Sequence, residues 1–310
     1  MSRRTTAIAA ALSVLALGSP LITACANPLA NNSYNSGVDK YEQGNYQGAI
    51  ADYTKAIEIN PDFADAFINR GAAKDELGDL QGAISDYTRA IEINPQNSIA
   101  YGNRGNSKNK LGDHQGAIAD YTKAIEINPE SANAYYNRGN AKSELKDYQG
   151  AIADYTKAIE IDSQHSNAYS NRGIAKYDLE DYQGAISDYT RAIEINPQNS
   201  IAYGNRGNAK SKLGDHQGAI ADYTEAIEIN PQDSIAYGNR GTTKNELGDH
   251  QGAIADYTKA LKINPKDANT YENRGIAREL ANDLEGACRD WRKAADLGKE
   301  RSAEWVKNQC

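Results

Sequence analysis

Apolar positions along this chain follow helical spacing with breaks at even intervals, and residues 132–165 (ANAYYNRGNAKSELKDYQGAIADYTKAIEIDSQH) show the pattern clearly. Ala134, Tyr135, Ala141 and Leu145 fall on one face of a first helix. Lys146-Asp147 then interrupts, as Gly-Asp does at most corresponding places. Gly is the usual end of a helix, and Asp readily caps the next one. Ala151, Ile152, Tyr155, Ala158, Ile159 and Ile161 mark a second helix. In most copies it stops at Asn-Pro, because proline restricts the residue before it and cannot continue the turn. Small residues (Gly139, Ala151, Ala158) alternate with Tyr135 and Tyr155, so the two helices can approach closely while the rings fill the gaps.

This helix pair recurs. Asn-Arg-Gly stands at Asn69, Asn103, Asn137, Asn171, Asn205, Asn239 and Asn273, each 34 residues after the last. A fixed period of this size marks a stacked repeat architecture, in which each unit buries its apolar face against its neighbours. Residues 83–128 and 185–230 are nearly the same sequence, offset by 102, or three units. An array that accepts such a block duplication tolerates changes in length.

The pattern resembles the tetratricopeptide repeat family, whose aromatic, Gly, Ala, aromatic, Ala and Pro positions are met by Tyr101, Gly105, Ala117, Tyr121, Ala124 and Pro129. The resemblance implies an all-α, right-handed superhelical solenoid of about eight 34-residue helix-turn-helix repeats over residues 30–301, closed by a C-terminal capping segment at 302–310. Two departures stand out. Arg138 and its counterparts precede the Gly where the family often has Leu, and Lys142 and its counterparts follow where it often has an aromatic.

Before the repeats, MSRR and the apolar run from Ala7 to Ile22 read as an export signal within residues 1–26. Gly18 and Pro20 interrupt the run, which is short for a membrane span. Ile22-Thr23-Ala24-Cys25 resembles a bacterial lipobox, making Cys25 a lipidation site. Ala24-Cys25-Ala26 also fits ordinary signal cleavage, the less favoured reading, which would discard Cys25. Residues 27–33 read as a short polar tether overlapping a degenerate first repeat. Export would leave Cys288 and Cys310 where disulfides can form. They either bond, closing a loop of roughly 20 residues, or Cys288 fills an Ile site while Cys310 stays loose.

Composition narrows the function. With 20 Tyr, 2 Phe and a net charge of −8, the chain shows no basic stripe, which argues against nucleic acid as a partner. His114, His216, His250 and His165 form no zinc spacing. No catalytic pairing or phosphate loop is visible either, so neither metal nor cofactor is expected and the chain reads as a binding protein, not an enzyme.

Each unit also carries an Asp before its second-helix Tyr, as at Asp120 and Asp154. A half-buried Arg needs a partner, and Arg138 is expected to pair with Asp154 or with Asp120 of the preceding unit. In the family the first helices line the concave surface. Asn69, Asn103, Asn137, Asn171, Asn205, Asn239 and Asn273 would form a peptide-binding ladder there, since an amide offers a donor and an acceptor together. The alternative is that these residues bond between adjacent helices. The expected role is a protein-interaction scaffold of the bacterial cell envelope, lipid-anchored through Cys25 or periplasmic, holding extended segments of partner proteins. A glycan-binding protein (with Tyr136, Tyr41 and Tyr177 free to stack on sugars) and a structural spacer are the alternatives.

Overall fold

The computed structural model describes residues 27–310; the export signal expected within residues 1–26, Cys25 included, lies outside the described residues. These residues form seventeen α-helices and no strand. They divide into two compact units, residues 27–164 and 165–310. The first holds α1 (Pro28–Glu42), α2 (Tyr46–Ile59), α3 (Ala64–Glu76), α4 (Leu80–Ile93), α5 (Ser98–Lys110), α6 (His114–Ile127), α7 (Ala132–Glu144) and α8 (Tyr148–Ile161). The second holds α9 (Ser166–Asp178), α10 (Tyr182–Ile195), α11 (Ser200–Lys212) and α12 (His216–Ile229). It continues with α13 (Ser234–Glu246), α14 (His250–Ile263), α15 (Ala268–Leu280), α16 (Leu284–Asp296) and α17 (Glu300–Gln309). Within each unit every helix packs against the next, so odd-numbered first helices and even-numbered second helices stack in sequence.

The break between the two helices of a repeat is built as the sequence implies. Asp113 accepts a bond from the Gly116 amide at 2.9 Å and so caps α6. Gly112 before it takes φ 84°, a left-handed conformation natural to glycine. Lys146 and Glu180 hold the same turn at φ 64° with side chains that disfavour it. Replacing Lys146 with Gly relieves about 1–2 kcal/mol of steric cost and gives back roughly half of that in unfolded-chain entropy. A net gain of about 0.5–1 kcal/mol is expected, read as a higher denaturation midpoint for K146G.

The core of each layer is a Tyr from the second helix set against the Gly of the first. Tyr121 is 1 % exposed, and a Cβ on Gly105 would lie 2.7 Å from its ring. The glycine therefore fixes how closely the two helices approach, and Ala117 and Ala141 complete the contact.

The N-terminal end departs from the sequence expectation, whereas the C-terminal end carries the expected capping helix. Residues 28–33 are not a tether but the first turns of α1, because Pro28 is pre-set for a helix start and Asn27 caps it through the Leu29 amide. In this first repeat Ser36 and Lys40 both bond Asp52 Oδ2 at 2.6 Å, in the places that Arg70 and Lys74 hold one unit later.

At the other end α17 begins at Glu300 and lies in repeat register, since Trp305 stands 34 residues after Tyr271. It is a ninth first helix cut short. Trp305 lies 5.1 Å from the fully buried Trp291, and Ser302 donates to Glu272 at 2.8 Å. A disulfide joins Cys288 to Cys310, with Cα atoms 5.7 Å apart.

Burial opposes the charge of Glu272, but bonds from Arg301 and Ser302 outweigh it and hold its carboxyl below the usual 4.5. A carboxyl depressed in the folded state stabilises above its unfolded value and loses that contribution as pH falls through the folded one. The hold on α17 is therefore expected to weaken as pH drops below about 4.5, seen as a red shift of Trp emission.

Candidate binding surface

The Arg and Asp columns meet within one repeat. Arg138 Nε and Nη2 donate to Asp154 Oδ2 and Oδ1 at 2.9 and 2.6 Å, a bidentate fork, so the partner is Asp154 and not Asp120. Lys142 Nζ joins at 2.7 Å from Asp154 Oδ2. The two departures from the family pattern are thus one device, in which an Arg–Asp–Lys triad stands where Leu and an aromatic would pack. The remaining Arg138 nitrogen, Nη1, donates to Thr122 of the preceding repeat at 3.1 Å, and the guanidinium lies 5.5 Å from the Tyr135 ring. The same arrangement returns at Arg70, Arg104, Arg206 and Arg240.

The Asn column is placed differently from the ladder expected of it. Asn69 is 0 % and Asn103 4 % exposed, so neither can meet a partner molecule. Asn137, Asn171, Asn205, Asn239 and Asn273 are half-buried. Among them, Asn137 and Asn239 tie neighbouring repeats together. Asn137 Nδ2 donates to Asn106 Oδ1 at 3.1 Å, and that oxygen also accepts from the Tyr121 hydroxyl at 2.8 Å. Asn239 and Tyr223 share Asn208 in the same way, at 2.9 and 2.8 Å. Asn69 donates to the Tyr34 hydroxyl at 2.9 Å. Burial, then Asp65 nearby, push that phenol up to about 12, which keeps it neutral. The physical reason is depth: one helical step from Arg and Gly, these Asn side chains sit at the seam between layers. Sequence reading missed Asn106 and Asn208 as the shared acceptors, although each stands three residues after a column Asn.

Tyr136 is also buried, 5 % exposed against Tyr155, and Tyr41 and Tyr177 make edge contacts with Tyr46 and Tyr182. Tyr136 is thus lost to stacking on sugars, while Tyr41 and Tyr177 stay half-buried. The histidines serve locally: His114 and His250 bond Asn109 and Asn245, and His165 caps α9. Among the described residues no group of His, Cys, Asp and Glu could hold a metal ion.

What remains open is the first-helix face. Added Cβ atoms at Gly102 and Gly204 would meet nothing within 4 Å. Between α9 and the start of α11 lies a cleft of about 270 Å³, lined by Asn167, Ser170, Asn171, Ile174, Asn199 and Ile201 among others.

A search of curated proteins finds no match. Among solved structures, YrrB, described as "a TPR protein with an unusual peptide-binding site", is 27 % identical with a TM-score of 0.53 over 60 % of this chain and 97 % of that one. A tetratricopeptide repeat protein from Parabacteroides merdae is 25 % identical with a TM-score of 0.59, over 79 % and 97 %. PilF of Pseudomonas aeruginosa, 18 % identical with a TM-score of 0.59 over 68 % and 96 %, shares the fold. The family model described as tetratricopeptide repeat matches residues 64–97, 132–165, 166–199, 200–233 and 234–267, and related repeat models match 37–74, 86–119 and 105–146. With the helix pairs and their 34-residue register, these matches show that the chain belongs to the tetratricopeptide repeat family.

Proposed function

We propose that this chain is a protein-interaction scaffold that receives extended segments of partner proteins on its first-helix faces. One observation carries the reading: the repeats differ from one another mainly there. The half-buried residue three after the column Asn is Asn106, Ile174, Thr242 or Ile276, and the exposed residue near the end of the first helix is Lys110, Glu144 or Lys212, while the second helices keep Gln-Gly-Ala and Asp-Tyr-Thr almost unchanged. Variation confined to one face gives each layer its own contact chemistry on a constant frame. The peptide-binding site described for YrrB supports the same use of the fold. Asn171, Asn205 and Asn239, half-buried, remain able to contribute to that surface, without the uniform ladder.

The test is Gly204→Arg, which enters open space and spares the packing. It is expected to abolish co-purification of partners while helicity stays constant. Partners retained by G204R would place docking on the second-helix face.

The bacterial envelope is the proposed location, with Cys25 as lipid anchor; the support is the basic start, apolar run and lipobox-like Ile22-Thr23-Ala24-Cys25. Several acyl chains anchor stably where one is marginal. Cys25→Ser should release the protein from membranes; a membrane fraction unchanged by C25S would count against lipidation.

A further inference from the structure

Two features mark the cleft between α9 and α11. None of its lining residues (Asn196, Gln198 and Ser200 complete the set) carries a charge, in a chain that is 25 % charged. It also sits at one of the places where the acceptor Asn of the seam is replaced, here by Ile174 as elsewhere by Ala72 and Thr242. Asn137 and Asn239 each find an Asn 31 residues earlier, whereas the residue 31 before Asn205 is Ile174. Asn205 thus lacks that bond, and Ile174 brings an apolar surface to the position.

The lining has a definite polarity. Asn196 Oδ1 accepts from the Gln198 amide at 3.2 Å and Asn199 Oδ1 from the Ala202 amide at 3.0 Å. With those oxygens committed, both side chains have their NH2 groups to offer a ligand, Asn199 already reaching Ser170 at a long 3.4 Å. Ile174, seated on the cluster of Ala185, Tyr189 and Ala209, supplies the apolar patch together with Ile201.

We infer that this cleft is a specificity pocket for an uncharged stretch of peptide, taking one aliphatic side chain against Ile174 while amide donors hold the flanking main-chain carbonyls. The inference rests on the first-helix face being the binding surface, and it names the segment that face selects. An acceptor-rich, uncharged ligand satisfies these donors without bringing a charge out of water. Recognition of this kind is nearly independent of salt, unlike an ion-pairing groove. Ile174 is then what distinguishes this layer from those with Asn106, Asn140 or Asn208 in the same place.

The experiment uses the full chain and a random-peptide library displayed on phage, followed by titration of the enriched peptides synthesised with blocked termini. Enriched sequences should share an uncharged run with an aliphatic residue, bind equally at low and physiological salt, and weaken roughly ten- to a hundredfold on Ile174→Asn. That variant carries the residue three other repeats already hold, so it keeps the fold. Asn167→Asp, at an exposed position of the lining, should weaken the same peptides. Peptides that bind I174N as well as the parent, or whose binding falls steeply with salt, would overturn the pocket and leave the wider surface standing. A library that enriches nothing, or a chito-oligosaccharide that binds where no peptide does, would overturn both.

Discussion

Replacing Asp154 with Ala is expected to destabilise its repeat by about 3–5 kcal/mol, the cost of leaving a buried charge without its partner. Asp154 and Arg138 side chains are 5 % and 17 % exposed. Without the carboxylate, the guanidinium and the Lys142 ammonium would face each other with no counter-charge. The family pattern suggests the remedy. Arg138→Leu and Lys142→Tyr added to Asp154→Ala replace the triad with apolar packing, and such exchanges are often neutral or stabilising. Hydrogen exchange confined to α7 and α8, alongside urea denaturation, should show the single variant loosened and the triple variant largely restored. A single-variant loss under about 1 kcal/mol would mean the triad is solvated like a surface pair.

Removing the disulfide is expected to cost α17 about 3 kcal/mol, the chain-entropy value for a loop closed over 22 residues. The loss should stay local, because each layer of a solenoid touches only its neighbours. The protein offers its own reporter. Its 2 Trp, Trp291 and Trp305, both lie at this end, one buried under the other. In C288S/C310S, or after treatment with a dithiol, Trp emission should shift to the red well before the bulk helical signal melts. Coincident transitions would show that Glu272, Ser302 and the Trp pair hold α17 without the covalent bond.

The helix pairs were legible because they rest on local rules: apolar spacing, Asp caps, the Asn-Pro stop. The Arg138–Asp154 pair was legible as two columns, but choosing between Asp154 and Asp120 required the approach of helices that the sequence does not record. Lys142 looked like a departure from pattern because its meaning depends on that same carboxylate. The Asn column reads as surface because the family's first helices line the concave side; its depth is set by the neighbouring repeat, which covers Asn103 and leaves Asn205 half-open. The signal that could have placed it is the company it keeps. Asn106 and Asn208 both recur with a Tyr 15 residues on and an Asn 31 residues on. The tether at 27–33 was misread from polarity alone, where Asn27-Pro28 is a helix start.

The division of Arg70, Arg104, Arg138, Arg206 and Arg240 between their own repeat and the one before has a mechanical meaning. Pulled from its two ends, the chain has polar seams closed by single hydrogen bonds, such as Arg138 to Thr122, and units closed internally by ion pairs. Extension should therefore proceed in equal instalments, each unravelled 34-residue unit releasing at most about 110–120 Å of contour. The final instalment is shorter. The Cys288–Cys310 bond short-circuits the force past 22 residues, withholding roughly 70–80 Å until a reductant releases it.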